Sequence, residues 1–349
     1  MNDYLANHDQ VAGWLQRLAG EGEVLLPCPV GGKNFAFAPL LATTPVRFDR
    51  YLPTVAPPAR HLLPADETIF TYERDADGNC CYAAAQPPQP MILAGVRPCD
   101  LQAIAHLDAV MIDAPADPLY LARRAVTTVI GVNCLSPCDE RCFCAAVGAL
   151  HCRQGADIFL TPAAAGMLVE VLTERGAALV ASAGFATCDD AAGKREAAEG
   201  QRPQVFGRKL ATEPGNLPGI LREGYRSPLY AHHGSRCFSC GTCNLVCPTC
   251  YCFEMKDDLA LDGMSGRRSR TWDACMIPAF AEVAGGHNFR PEVGERQRHR
   301  LKRKFEYLPE RFGSGPFCVG CGRCGRQCTA DIDILTMVNE IVAETGGAA

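Results

Sequence analysis

Residues 236–252 read RCFSCGTCNLVCPTCYC, and within them Cys237, Cys240, Cys243 and Cys247 stand at C-x2-C-x2-C-x3-C, closed by Pro248. This spacing lets one tight loop present three thiolates to successive corners of an iron–sulfur cubane, while the fourth cysteine reaches a different cluster. The pattern returns at Cys318, Cys321, Cys324 and Cys328 (CVGCGRCGRQC, 318–328), with Thr329 where a proline usually stands. Two such runs predict a two-cluster, ferredoxin-type unit. By the crossed ligation of such units, Cys237, Cys240, Cys243 and Cys328 hold one [4Fe–4S] cluster and Cys318, Cys321, Cys324 and Cys247 the other. The competing reading is zinc, which favours two C-x2-C pairs at a longer separation around one tetrahedral ion. Three thiolates within seven residues crowd a single ion.

About 70 residues separate the runs, and stretches such as Pro278 to Ala284 carry a helical pattern. The expectation for 231–349 is therefore an α-helical two-cluster ferredoxin domain, not the small βαββαβ type. Cys250, Cys252 and Cys275 lie in the same segment and read three ways: thiols beside the clusters, packed core cysteines, or ligands of a further centre. A formal G-x-G-x-x-G runs from Gly320 through Gly322 to Gly325, but no strand precedes it, so dinucleotide binding is not its reading. Those glycines are expected to let backbone N–H groups approach cluster sulfurs. No other Rossmann or Walker-type motif appears, and no flavin or NAD is expected on this chain. His287, after two glycines in AGGHNF, reads as a hydrogen-bonded structural histidine or as a cluster ligand or donor. Arg267, Arg268 and Arg270, before Trp272 and Asp273, read as an ion-pair net or a docking surface. The run Arg296 to Lys304 (RQRHRLKRK) reads as a solvated helix face or a docking patch for an acidic partner.

Outward from the runs, residues 1–185 read as an α/β domain. Short β-rich apolar runs stand at 91–96 (MILAGV), 126–132 (VTTVIGV), 157–160 and 178–181, with helical patterns at 100–111 and 163–175 between them. Pro-rich stretches at 53–64, 86–90 and 113–118 are loops, and the first 85 residues signal weakly. Residues 186–230 read as a linker with one polar helix near 190–200. The strand at 91–96 runs into Cys99 and that at 126–132 into Cys134, followed by Cys138, Cys142 and Cys144. In a βαβ unit the strands are parallel, so Cys99 and Cys134 emerge at one carboxyl edge. A third cluster held by Cys99, Cys134, Cys142 and Cys144 is one reading; small buried residues are the other. Cys28, Cys80, Cys81, Cys152 and Cys188 are isolated and read as ordinary.

Composition bounds the rest. With 349 residues, 48% hydrophobic, and a net charge of −5, the chain fills a sizeable core and presents no basic nucleic-acid surface. No apolar run reaches the roughly 18 residues a membrane helix needs, and the first twenty residues lack a signal-peptide pattern. A cytoplasmic location is expected, and there 21 cysteines are expected to bind metal or carry redox chemistry, not disulfides.

The stretches GVRPCDLQAIAHLD (95–108), CFC (142–144), SCGTCNLVCPTCYC (239–252), TWDACMIPAF (271–280), AGGHNFRP (284–291) and CVGCGRC (318–324) resemble the iron–sulfur β subunit of cytosolic NAD(P)-linked NiFe hydrogenases, the sulfhydrogenases. They resemble almost equally the iron–sulfur electron-transfer subunit of anaerobic sulfite reductase. The resemblance implies a protein without its own substrate site that passes electrons along its clusters. At one end of the implied complex stands a flavin- and NAD(P)-binding reductase subunit. At the other stand either hydrogenase small and large subunits or a sirohaem sulfite reductase subunit. Cys99, Cys134, Cys142 and Cys144 match the family pattern, whereas Cys138 has no counterpart in it. A rival of another class is a zinc-binding or thiol redox-sensing interaction protein, which would be colourless.

Overall fold

The computed structural model describes residues 2–48, 51–163, 166–200 and 202–346. In chain order the strands of the first half are β1 (Tyr4–Ala6), β2 (Glu23–Pro29), β3 (Phe35–Pro39), β4 (Asp66–Arg74), β5 (Cys80–Ala84), β6 (Met91–Val96), β7 (Thr127–Val132), β8 (Ile158–Ala163), β9 (Gly166–Val171) and β10 (Ala186–Thr187). All but β4 and β5 form one sheet of order β10-β1-β9-β8-β7-β6-β2-β3. Its centre, β2, β6, β7 and β8, is parallel, and its margins are antiparallel. Parallel strands covered on both faces need apolar residues at every position, and β7 is buried along its whole length.

Two helical layers supply the cover. Helix α1 (His8–Glu21), opened by a reciprocal Asn7–Gln10 cap, buries Trp14 and Leu15 with Ile130 and Val132 on one face. Helix α2 (Pro98–Ile112) and α3 (Pro118–Val126) bury Leu101, Ile104 and Tyr120 with Val129 on the other. Adjacent residues Val129 and Ile130 thus feed opposite cores, as a strand's period of two dictates. The N-terminal half is a mixed α/β sheet domain.

The expected strands at 91–96, 126–132 and 157–160 and the helix at 100–111 are present. Two elements are exchanged: the helix expected at 163–175 contains β9, and the strand expected at 178–181 falls at the end of α4 (Glu174–Val180). The cause is local. All six residues of β9 are buried, between β8 and β1, and a run apolar at every position but Glu170, whose charge is met by Arg153 and Arg195, carries no period to tell strand from helix. Helix α4 begins where the Thr173 hydroxyl accepts from the Gly176 amide, a cap three residues long.

In 186–230, α5 (Ala191–Glu199) is the polar helix expected there. Parts of the remainder pack closely: Arg202 Nε donates to the Cys134 carbonyl at 3.0 Å, and Leu217 and Leu221 are wholly buried.

Between the cysteine runs the structure departs from the helical expectation. Strands β11 (Phe253–Leu259) and β12 (Ser265–Trp272) form a hairpin, and β12 pairs on its other edge with β4, giving a second sheet of order β11-β12-β4-β5. Strand β11 is exposed throughout, so no apolar alternation announces it. Register replaces hydrophobicity: Arg268 faces Asp257 and Arg267 faces Asp258, with N–O distances of 2.6 and 2.8 Å. The three arginines are thus an ion-pair net, Arg270 being held by Glu67 and Asp117. Helix follows only at Val293–Lys302, continuing through a wider turn at Arg303–Tyr307 into Leu308–Phe312; Pro278–Ala281 is a single short turn.

Candidate functional site

The two cysteine runs have the same backbone. Ser239 (φ 54°) and Gly241 (φ 74°) flank Cys240, and Gly320 (φ 62°) and Gly322 (φ 78°) flank Cys321. A short helix follows each, Thr242–Leu245 and Arg323–Arg326. Left-handed residues on both sides of the middle cysteine give the two loops the same winding, with Cys321 buried in the second and Cys240 exposed in the first. Around one cavity stand Cys237, Cys240, Cys243 and, from the other run, Cys328. Cys247 in turn acts electrostatically on Cys318, Cys321 and Cys324. Cys328 thus stands with the first three cysteines of the other run, and Cys247 lies within electrostatic reach of Cys318, Cys321 and Cys324.

Two buried cations lie among these thiols. Lys304 Nζ donates to Cys247 Sγ at 3.2 Å and to Thr249 Oγ1 at 2.9 Å. Arg300, 4% exposed, has no hydrogen-bond partner for its Nε among the described residues. Burial works against its charge, but the Cys243, Cys324, Cys247 and Cys250 thiols more than offset it and hold its pKa above the ordinary arginine range. Both belong to the run 296–304, expected as a solvated face or docking patch. That expectation is overturned: Arg296, Arg300, Lys302 and Lys304 are all buried. The helix packs on Leu229–Gly234, and Lys302 donates to the Leu221 carbonyl while pairing with Glu306. A buried arginine without a carboxylate is costly unless an anion meets it.

At the carboxyl edge of β6 and β7 the N-terminal cysteines also meet. The Cys138 thiol lies between those of Cys134 and Cys142, and Cys142 contacts Cys144. Cys99, wholly buried, is acted on by Cys144, Cys321 and Cys138. Cys138, without a counterpart in the family pattern, is thus part of the group. Burial opposes the charge of Arg97 beside it, but Tyr51 and the Cys138, Cys134 and Cys99 thiols outweigh that and hold it strongly protonated. One of its terminal nitrogens has no partner among the described residues.

This group docks on the second run. The Phe143 amide donates to the Gly320 carbonyl at 2.7 Å. A Cβ on Gly320 would stand 2.6 Å from the Phe143 and Cys144 backbone, and one on Gly322 2.8 Å from that of Arg141 and Cys142. The glycines of the G-x-G-x-x-G pattern therefore admit the 141–144 backbone, an addition to the role expected of them. Asp100 and Arg323, buried to 1 and 2% exposure, form a two-pronged pair at 2.7 and 2.9 Å across the same junction. Sequence reading missed Asp100 and Arg323 and placed Arg300 on the wrong kind of surface. Each adjoins or faces a cysteine motif, but their partners come from distant segments.

Cys250, Cys252 and Cys275 border a further cavity, and the Cys250 thiol contacts that of Cys247. His287 stands exposed on a two-stranded hairpin against Phe289, and it lines neither that cavity nor the one shared by Cys237 and Cys328. Cys80 and Cys81 are exposed on β5, and Cys28, Cys152 and Cys188 lie apart from the groups.

The donor chemistry fits iron–sulfur clusters: thiols gathered in sets, buried cations with unpartnered nitrogens beside them, and N–H groups aimed at sulfur, such as Ile332 N to Cys328 Sγ at 3.4 Å. Among the described residues no three His, Cys, Asp or Glu side chains converge on a point for one metal ion. Residues 236–332 match the family model of the 4Fe-4S dicluster domain. The chain is 33% identical over 301 residues to sulfhydrogenase 2 subunit beta of Pyrococcus furiosus, covering 83% of this chain and 84% of that protein. No solved structure matches. The chain carries an iron–sulfur electron-transfer role, and it belongs to the hydrogenase beta-subunit family.

Proposed function

We propose that the chain is the electron-relay subunit of a cytoplasmic NiFe hydrogenase complex. In it the protein stands between a flavin- and NAD(P)H-binding reductase subunit and the hydrogenase small and large subunits. Residues 231–349 act as a two-cluster ferredoxin domain, helical around its clusters, on the 1–185 α/β domain, with 186–230 joining them. Cys237, Cys240, Cys243 and Cys328 ligate one [4Fe–4S] cluster; Cys318, Cys321, Cys324 and Cys247 ligate the second. Cys99, Cys134, Cys142 and Cys144 ligate a third, with Cys138 beside them. The observation that carries this is the cavity that Cys328 shares with Cys237, Cys240 and Cys243, the arrangement crossed ligation requires.

Bound clusters would supply one-electron transfer. The chain's own residues would set its energetics: Arg300, Lys304 and Arg97 offer positive charge where reduction adds negative charge, and burial excludes water. Bond chemistry stays with the partners.

The test is the metal content and EPR of ligand variants in the anaerobically isolated complex. Cys240→Ala is expected to lose one reducible cluster, and Cys142→Ala about four iron atoms, one [4Fe–4S] cluster. Unchanged iron and signal in both would sink the ligand assignment. Nickel and flavin in the isolated complex support the hydrogenase reading; sirohaem without nickel would move the chain to sulfite reduction.

A further inference from the structure

Three cysteines remain outside the crossed sets and the N-terminal group, and the fold spends a hairpin on bringing them together. Cys250 and Cys252 follow the first run, and Cys275 comes only after β11 and β12. The hairpin closes with Phe253 opposite Trp272, and the Asp273 amide donates to the Cys252 carbonyl at 3.0 Å. Cys275 is thereby returned to the chain it left, with its thiol in contact with that of Cys252. A single buried side chain ties the set: Asn244, 1% exposed, donates through Nδ2 to Cys250 Sγ at 3.3 Å and to Cys275 Sγ at 3.4 Å.

The three thiols border a cavity of about 360 Å³. Arg290, Arg300, Arg303 and Lys304 also line it, and no carboxylate does. Such a lining repels cations in solution and attracts a thiophilic group of net negative charge. A zinc ion, doubly positive, fits this field poorly; an iron–sulfur cluster bound by thiolates is anionic and fits it. Arg300 lines this cavity and that of Cys237, Cys240, Cys243 and Cys328 alike, so the two spaces are neighbours.

We propose that Cys250, Cys252 and Cys275 hold an additional iron–sulfur cluster in this cavity, a branch of the relay beside the ferredoxin pair. This rests on the reading that clusters occupy the C-terminal half. Three thiolates suffice for a three-iron cluster; a four-iron cluster takes a fourth ligand of another type, and His299 is the one other lining side chain of a ligating kind. Burial holds the His299 pKa down at about 4, leaving its ring uncharged at neutral pH.

The experiment measures iron and acid-labile sulfide per chain, with EPR, on the anaerobically isolated complex carrying Cys252→Ser or Cys275→Ser. The expected result is a loss of about three or four iron atoms with the signals removed by Cys240→Ala still present; the count tells which cluster type is held. Iron and sulfide equal to wild type in a folded variant overturns the inference, including the case where the cavity instead binds an organic phosphate. Wild-type complex without iron would fail the relay reading itself, a distinguishable outcome. Should Cys275→Ser not fold, the less buried Cys252→Ser carries the test. Native mass spectrometry of the wild-type chain serves as a second measurement: a mass that the three sets of the relay reading account for in full also overturns the inference.

Discussion

Arg300 is a buried cation whose counter-charge is supplied by sulfur, and its worth should show in cluster potentials more than in stability. Reduction of a neighbouring cluster adds one negative charge, which a desolvated guanidinium stabilises. Arg300→Gln is expected to move midpoint potentials to more negative values by on the order of 60 mV, the one-electron equivalent of ~1.4 kcal/mol, and Arg300→Lys by less. EPR-monitored redox titration reads this; equal potentials in wild type and Arg300→Gln would leave the residue a purely structural role. His106 makes the opposite kind of contribution. Stacked on Phe317 with centroids 4.2 Å apart, it is held neutral by burial, its pKa lowered to about 4. Between that value and 6.5 the unfolded chain takes up a proton that the folded chain refuses. The contribution is therefore full above pH 6.5 and is lost as pH falls toward 4, by up to about 3 kcal/mol. His106→Phe is expected to flatten the fall in melting temperature between pH 7 and 5, and a parallel decline in both proteins would exclude it.

At the level of elements, the loop around Cys321 is held open by Gly320, where conformation and contact coincide. Gly313 offers a control, since it has a similar φ of 57° with nothing within 4 Å of an added Cβ. Gly313→Ala should cost only the left-handed penalty, ~1–2 kcal/mol. Gly320→Ala bears that penalty and also pushes the 141–144 backbone away, so it is expected to lose several times as much stability and to lose iron from the second run. Equal iron content and equal melting temperatures in the two variants would contradict the docking of the two loops. The same scale shows what the sequence makes legible. Three thiols at x2 intervals specify their loop within seven residues, because ligand geometry is local there. Strands β6, β7 and β8 are legible by apolar runs bounded by turn residues. Strand β9 is not, because complete burial erases its period, and β11 is not, because its pairing rests on charges that resemble a polar loop. The charged run at 296–304 misleads for the converse reason: Arg300 and Lys304 face thiols of the cysteine runs, while Arg296 and Lys302 are met by backbone carbonyls and Glu306, partners that a charged run does not announce.

Across the whole molecule the halves are interlocked, not merely adjacent. Strand β12 inserts beside β4, the Asp100–Arg323 pair joins α2 to the second run, and one core contains Cys99 and Cys144 with Leu335 and Val338. None of this is readable from composition or motif, since each contact joins residues hundreds of positions apart, whereas the cysteine sets inside each half are. The second sheet also matters on the ribosome. Strand β4 is made early and its partner β12 only after more than half of the chain has followed. At roughly 5–20 residues per second, β4 waits on the order of ten to forty seconds with a strand edge unpaired, a template for unwanted pairing. A chain ended at Leu259, before β12, is expected to self-associate and to elute early in size-exclusion chromatography, and a monodisperse product would show that the nascent edge is protected by other means. The order in which the strands of the second sheet are made thus turns a feature of the finished fold into an exposure during synthesis, one that lasts until β12 emerges.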